Sequence, residues 1–85
     1  MSVEEKVREI MAAAFAIPVE RIGGMASTET IAEWDSVSHL SLVIGLEETY
    51  GVSLDPDDVP RMTDLGTILE ILKKHGVGAL GETGG

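Results

Sequence analysis

The chain has 85 residues, enough for one domain, and 44% of them are hydrophobic, too many for a disordered segment of this charge. Six Lys and Arg against fifteen Asp and Glu give a formal net charge of -9, which repels phosphates and argues against nucleic acid as a partner. Cysteine is absent, so there is no disulfide framework and no thiolate metal site, and the chain encodes no thiol of its own. No apolar run approaches the roughly 18 residues of a membrane span. The stretch from Met1 to Glu9 is charged where a signal peptide needs an apolar centre, so the expected compartment is the cytoplasm, without membrane contact.

The first helix is expected to open at Ser2, an N-cap residue with Glu5 three positions on, the pattern of a capping box. Val3, Val7, Ile10, Met11, Ala14 and Phe15 follow at helical spacing, with Lys6, Arg8 and Glu9 on the other face. Pro18 sets the end of this helix at about Ile17. From Pro18 to Trp34 the pattern breaks into a long loop containing Gly23-Gly24 and Ala26-Ser27-Thr28, with Ile22, Met25, Ile31 and Trp34 as expected anchors.

A second helix is predicted from Asp35-Ser36 to Tyr50, with Asp35 as cap and Gly51 as its stop. Val37, Leu40 and Ile44 share one face; Leu42, Leu46 and Tyr50 lie on another, with Val43 between them. An apolar surface this broad marks a central helix or one that keeps an apolar edge for a partner. A short third helix is expected after Asp55-Pro56-Asp57-Asp58, limited by Pro60. Thr63 is the expected cap of a fourth helix carrying Leu65, Ile68, Leu69 and Leu72, with Lys73 and Lys74 in its last turn and Gly76 as its end. Five of the final ten residues are glycine, so residues 77–85 are expected to form a flexible tail behind a domain of residues 1–76. The predicted fold class is all-α: a four-helix bundle with three main helices, one short third helix and a long first loop.

Enzyme signatures are scarce: there is no Walker-type loop, HExxH, CxxC or GxSxG. Asp55, Asp57 and Asp58 lack calcium-loop spacing and read as a charged helix start. Ser36 and His39 stand one helical turn apart, a nucleophile–base spacing, but a hydrolase also needs an orienting acid, an oxyanion hole and a pocket. Position is the stronger signal. Ser36 stands at a helix mouth after a long loop, where helix amides favour an attached phosphate by about 0.3–1 kcal/mol. Between Ile22 and Pro60 there is no Lys or Arg but eight acids: Glu29, Glu33, Asp35, Glu47, Glu48, Asp55, Asp57 and Asp58. Such a run is either a solvated acidic face or a docking surface for basic partners.

The stretch Glu33-Trp-Asp-Ser-Val-Ser-His-Leu-Ser-Leu-Val-Ile-Gly-Leu-Glu-Glu-Thr-Tyr-Gly-Val52 resembles the signature of acyl carrier proteins and the related peptidyl carrier domains. The likeness extends from Ser2 to about Gly76. It rests on the Asp-Ser pair, the Leu-Glu-Glu-x-Tyr run and the helix order. The resemblance implies that Ser36 is the attachment point of 4'-phosphopantetheine, transferred from coenzyme A by a phosphopantetheinyl transferase that supplies magnesium and the base. The arm brings the thiol that the chain lacks. Acyl or aminoacyl groups then travel on it as thioesters, loaded by a ligase or acyltransferase or passed to a ketosynthase, while the carrier catalyses nothing.

By the same resemblance Asp35 holds the Ser36 region for the transferase. Val37 and Ile44 match apolar partner contacts, and Glu47 and Glu48 match acidic positions of the partner-binding helix. Leu42, Leu46, Tyr50, Leu54, Ile68 and Leu72 match the interior that sheathes an acyl chain in some members. Departures are visible: Ser38, His39 and Ser41 stand where carriers of fatty-acid synthesis place acids, Trp34 precedes Asp35, and Val37 replaces Leu. Trp-Asp-Ser with a following His is similar to stand-alone carriers of specialised pathways. His39, one turn from Ser36, either approaches the phosphate or faces solvent.

Two other classes compete. One is an unmodified acidic helical module that binds a partner protein. The other is a carrier activated at its terminal Gly84-Gly85, as in ubiquitin-like proteins, which needs a sheet that this pattern does not offer. A shuttle that visits several enzymes is expected to be a monomer.

Overall fold

The structure, a computed structural model, describes residues 2–77. Helix α1 spans Val3–Phe15, α2 spans Ser36–Tyr50 and α3 spans Leu65–Lys74, with short 3₁₀ turns at Val19–Arg21 and Val59–Arg61. No strand occurs among the described residues; a single antiparallel bridge joins Ser27 to Asp64. Val77, the first residue of the expected tail, is half-buried against the core, and its amide bonds the Leu72 carbonyl at 2.9 Å. The rest of that tail, residues 78–85 with the terminal diglycine, lies outside the described residues.

Each helix begins where an acceptor side chain closes its first turn. Ser2 and Glu5 form the reciprocal capping box at α1. Asp35 caps α2 and Gly51 ends it in the left-handed region at φ 65°. At α3 the cap is Asp64 rather than Thr63: its Oδ1 accepts from the Thr67 amide at 2.7 Å, a charge-assisted bond stronger than a hydroxyl offers. Helix α1 stops at Phe15, two residues before the expected end, because Ala16 adopts a left-handed conformation at φ 57°. There the Ala16 and Ile17 amides return to Ala13 and Ala12 carbonyls before Pro18 is reached. The short helix expected after Asp55 forms only as a turn at 55–58 and the 3₁₀ turn around Pro60, whose missing N–H cannot propagate an α-helix.

One core joins these elements. Val7, Met11 and Phe15 of α1, Leu42, Val43 and Leu46 of α2, and Leu65, Ile68, Ile71 and Leu72 of α3 are all buried. The long loop contributes Ile22, Ala26, Ile31 and Trp34. Met25 does not anchor it as expected: the side chain is 90% exposed, and its small neighbour Ala26 is buried instead.

Polar ties fix the loop's path. Arg8 donates from Nε to the Ile22 carbonyl at 2.6 Å and from Nη2 to the Val19 carbonyl at 3.4 Å. The Thr28 amide bonds the Thr63 carbonyl, and the Leu65 amide bonds that of Ala26. A two-pronged Arg21–Glu33 pair, at 2.8 and 3.0 Å, closes the loop just before Trp34 and draws the Glu33 carboxyl below its ordinary pKa. The loop therefore delivers Trp34, Asp35 and Ser36 to a defined place.

Candidate functional site

Ser36 is the first residue of α2 and is exposed. Asp35, just before it, has extended backbone and accepts the Ser38 amide on Oδ1 at 2.9 Å. That backbone bond is the main reason the Asp35 carboxyl lies below its usual range, so it is a firm carboxylate at neutral pH. The cap leaves the Ser36 hydroxyl standing clear at the helix mouth, beside amides that carry the positive end of the helix dipole.

Ser36 opens onto a cleft of about 840 Å³ between the start of α2 and the 56–63 segment. Trp34, His39, Leu40, Val59, Pro60 and Met62 are among its lining residues, and the lining is mainly apolar. His39 lies in this cleft as the one-turn spacing from Ser36 suggests, but its ring is committed elsewhere. The Trp34 indole N–H donates to Nδ1 at 3.0 Å, and Nε2 meets the Val59 carbonyl at 2.7 Å. The ring is half-buried, not simply solvent-facing, and lies nearly parallel to the indole, with centroids 6.2 Å apart. Trp34 in turn packs on Phe15 at 5.1 Å. Both imidazole nitrogens are taken by other partners, so His39 has no free nitrogen with which to act as a base on Ser36.

Beyond the cleft, Val37, Leu40 and Ile44 form an exposed apolar row, 75%, 60% and 54% accessible, and Glu48 continues it one turn further on. Glu47 stands apart from its neighbour. It is half-buried, and Oε2 accepts the Leu54 amide at 2.8 Å, pinning the chain that follows α2. Of the positions matched to a chain-sheathing interior, Leu42, Leu46, Leu54, Ile68 and Leu72 are buried. Tyr50 is half-buried, its hydroxyl enclosed with no partner among the described residues, and burial raises its pKa.

Asp58 departs most from its reading as a solvated helix start. It is 1% exposed. Its Oδ1 accepts from Lys74 Nζ at 2.7 Å, and Oδ2 lies 3.1 Å from His75 Nε2. The Lys74 bond, then the His75 bond, hold its pKa down to about 2 against the opposing effect of burial. Asp55, Asp58 and His75 bring ligand-type atoms within 4.8 Å of one another, but the Lys74 ammonium already supplies positive charge there. Four of the eight acids are thus partly or wholly engaged within the fold: Glu33 with Arg21, Asp35 with the Ser38 amide, Asp58 with Lys74 and His75, and Glu47 with the Leu54 amide.

Fold and site together define a small acidic helical bundle that presents one capped, accessible serine at a helix mouth, with an apolar row beside it. Comparison with known proteins gives that class its family. The chain is 34% identical over 62 residues to an acyl carrier protein of Nitratidesulfovibrio vulgaris, covering 73% of this chain and 82% of the relative. It is 29% identical over 75 residues to that of Desulforapulum autotrophicum (87% and 97%), and 26% over 70 residues to that of Lactobacillus johnsonii (82% and 88%). No family model matches. The chain belongs to the acyl carrier protein family.

Proposed function

We propose that this protein carries acyl or aminoacyl intermediates as thioesters on a 4'-phosphopantetheine arm attached to Ser36. The observation that carries the reading is the accessible Ser36 hydroxyl at the first position of a helix capped by Asp35. The residues fit such a group. A phosphodiester on Oγ meets the N-terminal end of α2, and the apolar cleft opens beside it. Val59, Pro60 and Met62 line a wall along which an arm can lie.

In the loading step Oγ attacks the coenzyme A phosphorus that carries the pantetheine. An O–P bond forms, the pyrophosphate bond breaks and adenosine 3',5'-bisphosphate leaves. A base on the transferase takes the serine proton, and that enzyme also supplies magnesium. The attached arm contributes a thiol, which this cysteine-free chain does not encode. Asp35 serves by fixing the helix start, and His39 by shaping the cleft. The exposed row of Val37, Leu40 and Ile44, with Glu48 at its end, is the surface for loading ligases, acyltransferases or ketosynthases. Glu47 adds charge there while one of its oxygens holds the Leu54 amide. No helix among the described residues is long and apolar enough to cross a membrane. The compartment we propose is the cytoplasm, and the proposed state is a monomer, as suits a shuttle that visits several enzymes.

Incubation with coenzyme A, magnesium and a broad-specificity phosphopantetheinyl transferase, followed by intact-mass measurement, tests this directly. One phosphopantetheinyl increment is expected on the unaltered chain and none on Ser36→Ala. An unchanged mass on a folded chain refutes the attachment and leaves an unmodified acidic interaction module as the reading.

A further inference from the structure

The two ring contacts of His39 determine more than its position. The Trp34 indole N–H can only donate, so Nδ1 must be the unprotonated, accepting nitrogen. The ring proton then sits on Nε2 and is donated to the Val59 carbonyl. A directed chain of hydrogen bonds therefore runs from the long loop, through α2, to the 3₁₀ turn Val59–Arg61, and all three members line the cleft beside Ser36.

The 56–63 wall has few other ties. Asp58 anchors it to the end of α3 through Lys74 and His75, and the Thr63 carbonyl accepts the Thr28 amide from the long loop. On the α2 side, His39 is the side chain that bonds its backbone. A second proton on the ring would place an N–H at Nδ1 against the indole N–H, donor facing donor, and break the chain at Trp34.

We propose that His39 is a positioning residue: a neutral, Nε2–H latch that holds the 56–63 wall against α2 and so sets the width of the cleft beside Ser36. This rests on the reading of Ser36 as the attachment site only for its consequence, which is how far an attached arm is sheltered or released. The latch itself is a property of the unmodified chain. The charged groups around it are Asp35 on the rim, the Asp58–Lys74–His75 group behind Val59, and any phosphate on Ser36. His75 touches the same wall through Asp58, so the decisive reporter must be one that His39 alone contacts: the Trp34 indole N–H.

The test is nitrogen-15 NMR on the full, unmodified chain. The His39 ring is expected as the Nε2–H tautomer. On the same sample a scalar coupling is expected across the hydrogen bond from the Trp34 indole N–H to His39 Nδ1. In His39→Phe, which keeps a flat ring without its nitrogens, the Arg61 and Met62 amides are expected to exchange about 5- to 30-fold faster, the factor that losing one or two ordinary hydrogen bonds implies. His39→Gln, which restores an acceptor and a donor, is expected to recover much of that protection. An Nδ1–H tautomer, absence of the coupling between the indole N–H and Nδ1, or unchanged exchange in His39→Phe overturns the latch. If His39→Phe does not fold, the tautomer and the coupling across the indole hydrogen bond of the unaltered chain decide. Failure of Ser36 to accept the arm would leave these signatures in place and refute only the attachment, whereas normal loading without them refutes only the latch.

Discussion

Gly45 sits in the middle of α2, where a glycine ordinarily weakens a helix, and the packing against α1 explains it. A Cβ built there would lie 2.9 Å from Ile10 Cγ2. Relaxed carbon contacts need roughly 3.5–4.0 Å, so Gly45→Ala must open a gap of about 0.6–1.1 Å between two helices. Ile10 Cγ2 is fixed to a branched Cβ and cannot swing away as the end of a long side chain could. Helix propensity returns about 1 kcal/mol on replacing Gly by Ala. Overpacking takes about 1–3 kcal/mol. The net expectation is a loss of about 0–2 kcal/mol in the unaltered background.

In an Ile10→Ala background the obstructing methyl is gone, and the same Gly45→Ala change is expected to stabilise by about 1 kcal/mol. Urea unfolding of the four chains of this double-mutant cycle, followed by far-ultraviolet circular dichroism, measures the reversal from the midpoints, provided the slopes agree. Stabilisation by Gly45→Ala of equal size in both backgrounds would refute the close approach of α1 and α2.

Three further outcomes follow from the polar groups. Asp58 has a folded pKa of about 2, below the roughly 3.9 of an unfolded aspartate, so its ion-pair stabilisation is full above the latter value and is lost as pH falls towards the former. Asp58→Asn is therefore expected to lower the thermal midpoint at pH 7 and to flatten its decline between about pH 4 and pH 2. A mutant curve parallel to that of the unaltered chain across this window would contradict the assignment. Tyr50→Phe removes an enclosed hydroxyl that has no partner among the described residues and is expected to be neutral or to stabilise by up to about 1 kcal/mol in urea unfolding. A clear destabilisation would reveal a partner for that oxygen. Glu47→Ala is expected to cost about 1–2 kcal/mol by releasing the Leu54 amide, whereas Glu48→Ala stays within about 0.5 kcal/mol. Glu48→Lys is expected to weaken partner binding more at low salt than at high salt, read by titration calorimetry, and equal effects at both would count against a charged docking surface.

Helix α2 was legible from its ends inward. Asp35, the apolar spacing and Gly51 are local signals, and they correctly bound α2 at Ser36–Tyr50. That Leu42 and Leu46 lie on a different face from Val37, Leu40 and Ile44 follows from the helical period, while the packing of the core decides that the first set is buried and the second exposed. The misses share a different cause. Thr63 and Asp64 are both good caps, and the choice fell to the position where the backbone pairs with Ser27 and Ala26 of a distant loop. Met25 and Ala26 are both apolar, and only the course of the loop decides which one turns inward. Asp58 belongs to a run of acids that looks solvated until α3 brings Lys74 and His75 onto it. No periodicity encodes a contact across sixteen or seventeen positions.

Those non-local contacts are the ones that shape the surroundings of Ser36. A serine behind a capping aspartate is common, and the cap by itself fixes only one turn of backbone. The position of that turn in space depends on Trp34 packed on Phe15, on the Arg21–Glu33 pair and on the small separation of α1 from α2 at Gly45. The cleft's opposite wall depends on Asp58 and His39, which pull the same short segment towards α3 and α2. Because 3₁₀ turns are short and have poorer hydrogen-bond geometry than α-helices, the wall gains little rigidity from its own backbone. Its side-chain ties therefore govern how open the cleft stands, and a change at His39 is expected to alter the surroundings of Ser36 without removing the hydroxyl itself.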